Sequence, residues 1–189
     1  CDIRKFFASI DHEILKQILT RHIENKEILQ LLGEVIGSFH TEGKSGVGLP
    51  LGNLTSQLLV NIYMNEFDQF VKRKLKVKYY IRYADDFVLL HKDKEYLEKL
   101  IPEISEFLKT HLKLSLHPDK TFIKTLASGL DFLGWVSFPH HRVLRTKTKQ
   151  RMFQKLKQSK NNKTVLSYIG LLSHGNTHGL RKKVIEYLP

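Results

Sequence analysis

The sequence predicts an α+β fold, in which an antiparallel sheet is backed by helices and is followed by a small helical domain. Three observations support this prediction. Apolar residues recur at helical spacing in several segments before residue 140, and short apolar or aromatic runs of strand length lie between them. Near residue 140 the composition changes, and the pattern soon becomes helical and basic. The chain is therefore expected to divide into a larger domain at 1–140 and a smaller one at 141–189.

Helical periodicity marks four segments of the larger domain. Asp11 can cap the first of them, because its carboxylate can accept a hydrogen bond from a backbone N–H group of the first turn. The last contains Pro102, which predicts a kink because proline cannot donate the intrahelical hydrogen bond. The predicted helices cover residues 11–23, 27–38, 54–75 and 94–112.

Short apolar runs predict the strands. Two of them, Ile81–Tyr83 and Phe87–Leu90, flank a short acidic turn and predict a hairpin, although the turn lacks the favoured Asn-Gly or Asp-Gly pair. Further strands are predicted near 113–116, 121–125 and 131–138, and Arg142–Arg145 is expected to pair with the last of these.

Breaks in periodicity predict the loops. The stretch Thr41–Gly52 holds four glycines and Pro50, which indicates a loop with tight backbone requirements. From Lys147 onward the pattern is helical, with breaks at Asn161-Asn162 and around Gly175.

The composition is that of a folded soluble protein. Hydrophobic residues make up 41% of the 189 residues and charged residues 26%. No run approaches the roughly 18 to 20 apolar residues that cross a bilayer. The lone cysteine, Cys1, cannot form an internal disulfide, and no Cys/His spacing builds a zinc site. We therefore expect a cytoplasmic protein that has no membrane partner.

The charge of the chain is strongly basic. Lys and Arg number 31 against 19 for Asp and Glu, so the formal net charge is +12. The basic residues concentrate in Lys72–Lys78 and between Arg142 and Lys163. A polyanionic partner such as nucleic acid is consistent with this excess, although many basic proteins bind no polyanion.

Asp85 and Asp86 are the most informative residues of the sequence. They lie next to each other between two hydrophobic strands, where desolvation and mutual repulsion oppose the charged forms of both carboxylates. A divalent cation would neutralise them, and Mg²⁺ prefers such oxygen ligands. The alternative is an exposed hairpin turn, in which aspartate is common and has no further role.

A third acid, Asp2, lies at the end of a short segment that is predicted to be a buried strand. Phosphoryl transfer with two metal ions needs carboxylates from separate strands that converge on the ions. Asp2 and Asp85 could supply them. Asp2 alone is more simply explained as a strand-terminal residue, but the combination favours metal binding.

Five motifs follow one another along the chain. The first three resemble, in this order, successive palm motifs of reverse transcriptases; the fourth is similar to the lysine-bearing motif that follows, and the fifth to the primer grip. The resemblance implies a polymerase palm at 1–140, then the connection and the start of a helical thumb at 141–189. The motifs are Asp2–Phe7, Gly48–Gln57, Tyr83–Asp86, His117–Thr121 and Phe132–Trp135.

The resemblance also implies roles around the reaction centre. Asp2 and Asp85 would be the principal ligands of two Mg²⁺ ions, with Mn²⁺ as an alternative, and Asp86 a supporting ligand. The ring of Phe7 would be a steric gate that occupies the space of a ribose 2′-hydroxyl, and it can also be a core aromatic. Gly52 would let the backbone approach the incoming nucleotide and the template.

Further residues are assigned by the same resemblance. Gln57 belongs to the substrate-binding motif of Gly52. Lys120 would protonate the leaving pyrophosphate as a general acid, unless it is an ordinary surface lysine. Trp135 would hold the primer end, and a packing role is equally consistent. Basic residues of the thumb would contact phosphates of the duplex, or would form a solvated helix face; they are Arg151, Lys155, Lys157 and Lys160.

The implied function is RNA-directed DNA polymerase, with an RNA template, a DNA primer or RNA–DNA hybrid and deoxynucleoside triphosphates as partners. The sequence reads Leu51-Gly52 and Ser56-Gln57 where many reverse transcriptases have glutamine before the glycine and proline after the serine. This pattern resembles the enzymes of diversity-generating retroelements and related bacterial reverse transcriptases, including those like group II intron enzymes. A bacterial or phage origin and an accessory protein fit that subgroup.

Two other functions stay open at the level of sequence. One is a defence-type polymerase that extends without a template. The other is a non-catalytic scaffold that binds structured RNA, although a binding protein has no use for a cluster of acids. The family places fingers before its first palm motif, so a chain that starts at Cys1 is expected to be a fragment without fingers.

Overall fold

The computed structural model describes residues 1–158 and 161–187. It confirms the predicted α+β class, with antiparallel strand pairs and helices. The chain forms two compact units, which are residues 1–123 and 124–189, and each is described by itself. The division into a palm at 1–140 and a thumb from 141 concerns function and stays a prediction. Lys160 lies outside the described residues.

The first unit contains four α-helices and a hairpin. Asp11 caps the first helix as predicted, since its Oδ1 accepts a hydrogen bond of 3.0 Å from the N–H group of Ile14. Asn25, Asn53 and Asp93 cap the other three. The helices are α1 (His12–Thr20), α2 (Lys26–Gly37), α3 (Leu54–Gln69) and α4 (Lys94–Leu112).

The last two helices confirm the predicted segments at 54–75 and 94–112 and add detail to them. Helix α3 is followed directly by a π-helical turn at Phe70–Lys74, so the predicted helix at 54–75 exists but widens in its last turn. Helix α4 continues through Pro102 as one element. Its buried face of Leu100, Ile104 and Leu108 packs in the core on both sides of the proline.

The predicted hairpin is present. Strands β1 (Tyr79–Tyr83) and β2 (Asp86–Leu90) are antiparallel, with Tyr83 opposite Asp86 and a two-residue turn at Ala84-Asp85. Ala84 has a φ of 51°, the left-handed region that a tight turn requires and that alanine adopts at a cost of about 1 kcal/mol. The turn therefore stores strain at the acidic pair.

The first four residues extend this sheet beyond β2. Cys1 and Phe87 exchange two backbone hydrogen bonds of 2.9 and 3.0 Å. On the other side, Ile3 forms an antiparallel bridge with Leu116, flanked by backbone hydrogen bonds of 2.8 and 2.9 Å. Four chain segments therefore lie side by side, in the order β1, β2, the N-terminal segment and the segment around Leu116.

Two further strand predictions are wrong. The strand predicted at 113–116 is reduced to the bridge at Leu116, because Lys113 is left-handed with a φ of 49° and Pro118 has no N–H group to donate. The strand predicted at 121–125 is absent. That segment lies between single 3-10 turns at Pro118–Lys120 and Leu126–Ser128, which change the chain direction at both of its ends.

The core of the first unit forms between the helices and the inner face of the sheet. Helix α3 contributes most of its buried side chains, which include Tyr63, Met64 and Phe67, each at 0% exposure. The hydroxyl of Tyr63 donates a hydrogen bond of 2.7 Å to the carbonyl of Leu112, so this buried polar group is satisfied. This packing fixes α3 against the sheet that carries the acids.

The described residues of the second unit form a three-stranded antiparallel sheet and three α-helices. The single strand predicted at 131–138 is wrong. It is a hairpin whose turn is Leu133-Gly134, where both residues have positive φ values of 53° and 82°. The third strand pairs through the Pro139-His140-His141 turn as predicted. The strands are β3 (Leu130–Phe132), β4 (Trp135–Ser137) and β5 (Arg142–Leu144).

The helices of the second unit follow the predicted breaks. Asn161 caps the second of them, and Gly175 lies in the connection before the third. Apolar side chains such as Met152, Val165 and Val184 form their common core. Within the described residues, no helix has the length and apolar character that crossing a membrane requires. The helices are α5 (Thr146–Gln158), α6 (Asn162–Leu172) and α7 (His178–Ile185).

Candidate active site

Asp2 lies in the N-terminal segment of the sheet, next to the hairpin. Its residue exposure is 9%, and its Oδ2 accepts a hydrogen bond of 2.7 Å from Nζ of Lys120. Its backbone carbonyl accepts from the N–H group of His117 at 2.8 Å. The sequence therefore correctly pointed to Asp2 as a buried acid on a strand-like segment, and the structure adds a cationic partner.

Asp85 and Asp86 project from the strained hairpin turn. Burial raises the pKa of the Asp85 carboxyl, and the charge of Asp2 raises it further. Burial also raises the pKa of Asp86, followed by the charges of Asp2 and Asp85 and by hydrogen bonding with Asp2. The charge of Asp2 therefore disfavours the ionised forms of both carboxyls of the turn, as expected of an acid cluster that a cation would stabilise.

Lys120 is the cation that the structure brings to this cluster. It ends the 3-10 turn Pro118–Lys120, which His117 caps by accepting the N–H group of Asp119. The hydrogen bond and the charge of Asp2 raise the pKa of Lys120, so the ammonium form is favoured. Lys120 thus contacts the acid cluster directly, and its role as a general acid stays a prediction.

Arg82 supports the acidic turn from within β1, and sequence reasoning missed it. Its Nε and Nη2 donate to the two carboxylate oxygens of Asp68 at 2.8 and 2.6 Å, and its Nη1 donates to the carbonyl of Ala84 at 3.0 Å. The hydroxyl of Tyr80 donates to the same Asp68 at 2.6 Å. Burial lowers the pKa of Arg82, but the hydrogen bonds and charge of Asp68 raise it, and the net direction is upward. The sequence could have indicated this role, because Arg82 is the one charged residue within the apolar strand β1.

The loop between α2 and α3 is fastened to the segment that follows Asp2. The N–H group of Leu49 donates to the carbonyl of Phe7 at 2.8 Å. Nε2 of His12, a residue with 2% exposure, lies 2.7 Å from the carbonyl of Gly48. Because a carbonyl only accepts, Nε2 carries the proton in this contact. The loop that leads to Gly52 is therefore tied to the candidate steric gate, and His12 is a second residue that the sequence analysis did not identify.

The candidate substrate-binding residues of this loop are accessible. Gly52 has a φ of 80°, which favours glycine, and no atom lies within 4 Å of the position that a Cβ would take. Leu51 is 78% exposed and Gln57 is exposed on the first turn of α3. Phe7 is half-buried, and its ring packs edge-on against Phe6 with the centroids 5.4 Å apart. The substrate roles of Phe7, Gly52 and Gln57 stay predictions.

The donor chemistry of the acid cluster fits a divalent ion. Asp2, Asp85 and Asp86 offer carboxylate oxygens, the ligands that Mg²⁺ prefers. Among residues 1–158 and 161–187, no group of three or more His, Cys, Asp or Glu side chains is drawn together closely enough to form a metal site. Lys120 already contacts Asp2, and the negative charge of Asp2 opposes the ionisation of Asp85 and Asp86. The assignment of all three as metal ligands therefore stays a prediction.

Trp135 and the candidate phosphate-binding residues lie in the second unit. The indole packs beside the core of that unit, and the guanidinium of Arg142 lies 5.2 Å from its ring centroid. Gly175 approaches the same ring so closely that a Cβ at that position would overlap it. Trp135 thus has the packing role that the sequence allowed, and contact with the primer stays a prediction. Arg151, Lys155 and Lys157 are exposed on α5.

Comparison with known proteins decides the family. A family model described as reverse transcriptase (RNA-dependent DNA polymerase) matches residues 1–137, which include the acids, the loop of Gly52, Lys120 and Trp135. The chain belongs to the reverse transcriptase family. The resemblance inferred from the motifs is thereby confirmed, and reverse transcriptases as a family use divalent metal ions.

Three curated relatives illustrate what the chain is similar to. Protein YkfC of Escherichia coli (strain K12) is 29% identical over 210 residues, which cover 90% of this chain and 54% of the relative. Group II intron-encoded protein LtrA of Lactococcus lactis subsp. cremoris is 25% identical over 200 residues, or 71% of this chain and 33% of LtrA. The putative COX1/OXI3 intron 2 protein of Saccharomyces cerevisiae is 22% identical, over 71% of this chain and 23% of its own length. The chain thus spans about half or less of these relatives.

Proposed function

We propose that the chain is the catalytic part of an RNA-directed DNA polymerase that adds deoxynucleotides to a primer 3′-hydroxyl. The observation that carries the proposal is the acid cluster: Asp85 and Asp86 lie on a strained turn, and Asp2 on the neighbouring sheet segment disfavours the ionisation of both. Mg²⁺ bound by these carboxylates would make the 3′-hydroxyl more acidic and neutralise charge on the triphosphate.

The chain's own residues would position the substrates. The ring of Phe7, held in place by the hydrogen bond between its carbonyl and Leu49, would lie against the sugar and exclude a 2′-hydroxyl. The open backbone at Gly52 would let the nucleotide and the template approach. Lys120 would supply a proton to the leaving pyrophosphate, since its ammonium form is favoured beside Asp2.

The decisive experiment is Asp85→Asn in the full-length protein. We expect primer extension on an RNA template to fall by roughly a thousandfold or more, because the change removes a charge from the reacting centre while keeping its shape. RNA affinity should stay within about twofold, since phosphate contacts come from basic residues. Asp93→Asn is the matched control, because Asp93 caps α4 and asparagine caps equally well. Extension by Asp85→Asn at the wild-type rate would disprove the assignment.

The host element of the enzyme is a finer proposal. The Leu51-Gly52 and Ser56-Gln57 pattern supports a diversity-generating retroelement, and the exposed Leu51 side chain stands beside the candidate nucleotide-binding glycine. The intron-associated relatives support the broader class of intron-type reverse transcriptases. The template RNA, the DNA primer and an accessory protein belong to the same proposal.

A further inference from the structure

A run of basic residues at the far end of the hairpin has no part in the chemistry described above. We call the exposed residues of this run the basic patch, apart from Lys72, whose side chain bonds to the backbone of the same run. It joins the π-helical turn after α3 to the start of β1, in the first unit of the chain. Its members are Arg73, Lys74, Lys76, Lys78 and Tyr79, all of them exposed.

The cations of the basic patch have no acidic residue close to them in the sequence. No Asp or Glu occurs from residue 69 to residue 84. Some lysines elsewhere in the first unit are paired, for example Lys16 with Glu13, Lys94 with Glu98, and Lys113 with Asp11. Among the described residues, no salt bridge involves a cation of the basic patch. Their mutual repulsion is therefore left for an external anion to relieve.

The backbone under the basic patch is well fixed. Nζ of Lys72 turns back and donates to the carbonyls of Val77 and Lys78 at 3.0 and 3.1 Å. The N–H group of Val77 donates to the carbonyl of Val71 at 3.2 Å, and both valines are buried. The Lys72 side chain thus stabilises the turn, while the remaining cations are exposed on it. Binding an anion here would cost little backbone ordering.

Tyr79 gives the basic patch an aromatic surface. Its side chain is 55% exposed, and Nζ of Lys78 lies 5.3 Å from its ring centroid. A ring that is open to solvent beside several cations is the combination that binds single-stranded nucleic acid, because bases stack on aromatic rings and phosphates contact basic groups. An acidic protein or an anionic membrane would use the cations but would not need the open ring.

We propose that the basic patch binds single-stranded RNA, with phosphates on its four cations and a base stacked on Tyr79. Strand β1 separates the patch from the acidic turn by about 17 Å, at about 3.4 Å for each of its five residues. The patch is therefore a second contact for RNA, distinct from the reaction centre. The inference concerns binding alone, so it can fail while the polymerase function stands.

The test measures RNA binding by the full-length protein. A fluorescein-labelled oligouridylate is titrated into the wild type and into a variant whose four patch cations are changed to Gln, over a range of salt concentrations. We expect the variant to bind about tenfold or more weakly near 0.1 M salt, and the slope of log K against log salt to fall by about 2 to 3, since each phosphate contact on a single strand contributes about 0.7. Tyr79→Ala alone should weaken binding about tenfold, whereas Tyr79→Phe should not.

The matched control removes the same charge from other exposed lysines of the first unit. We expect it to bind oligouridylate within about twofold of the wild type, because scattered surface charges contribute little at this salt concentration. Equal losses in the control and the patch variant, or wild-type affinity in the patch variant and in Tyr79→Ala, would overturn the proposal. Loss of binding to phosphatidylserine vesicles with unchanged RNA binding would assign the surface to membranes instead. The control changes Lys26, Lys44, Lys99 and Lys109 to Gln.

Discussion

Asp68→Ala tests how the acidic turn is held in place. Asp68 accepts two hydrogen bonds from Arg82 and one from Tyr80, and Arg82 in turn donates to the carbonyl of Ala84 in the turn. The Arg82 side chain is only 9% exposed, so the substitution leaves a nearly buried guanidinium without its counter-charge. Asp68 acts on the turn only through Arg82, and it is therefore a positioning residue.

The magnitude follows from burial. Removing one partner of a fully buried ion pair costs about 3 to 5 kcal/mol. Asp68 is 29% exposed, so water can partly replace the carboxylate, and we expect a loss of about 2 to 3 kcal/mol in the free energy of unfolding. If Arg82 also releases Ala84, a hydrogen bond worth about 1.5 kcal/mol no longer stabilises the strained turn, and kcat should fall about tenfold.

Chemical denaturation and steady-state primer extension on the full-length protein measure the two effects. Glu66→Ala is the matched control, because Glu66 lies on the same helix and pairs with the exposed Arg21 at 3.2 Å. That control should cost about 1 kcal/mol or less and should leave kcat unchanged. A variant of Asp68 that is no less stable than the Glu66 variant, or one that is destabilised but keeps its full kcat, would refute this account of the turn.

The two remaining predictions concern the nucleotide. Phe7→Ala should increase the incorporation of ribonucleotides relative to deoxynucleotides in a primer-extension competition, because the ring no longer fills the space of a 2′-hydroxyl. Phe7→Tyr should keep the discrimination. An unchanged ratio in the alanine variant would count against a steric gate. His12→Leu leaves the buried carbonyl of Gly48 without a hydrogen-bond donor, which should lower the free energy of unfolding by about 1 to 3 kcal/mol. The same change should raise the KM for deoxynucleotides more than it lowers kcat. His12→Gln can still donate to that carbonyl and should restore part of the KM, so equal behaviour of the two variants would argue against this role.

The parts of the fold that sequence could predict are those that depend on local chemistry. The hairpin around Asp85 follows from two apolar runs of strand length, and α1 follows from helical periodicity after Asp11, whose side chain can cap it. The acids were predicted because adjacent carboxylates between apolar strands are unfavourable unless a cation neutralises them. Such signals are contained within a few residues, so no knowledge of tertiary structure is needed to read them.

The features that were missed depend on contacts between distant residues. Arg82 is 14 positions from Asp68, and His12 is 36 positions from Gly48, so neither partner can be chosen from the sequence. The split of the strand predicted at 131–138 has a different cause. Leu133 takes a left-handed conformation that leucine rarely adopts. The hydrogen bonds between the strands on either side of it offset the cost of that conformation.

The distribution of strain and repulsion favours an enzyme over an RNA-binding scaffold. The turn at Ala84 carries a disfavoured backbone conformation, and the same turn carries two carboxyls whose pKa values are raised by burial and by Asp2. Two separate devices offset these costs: Arg82 holds the turn from β1, and a lysine contacts Asp2. A protein that only bound RNA would gain nothing from acids that repel phosphate, and it would be more stable without them. A cluster that needs such support is best explained by chemistry at the acids, and the Asp85→Asn variant tests that chemistry directly.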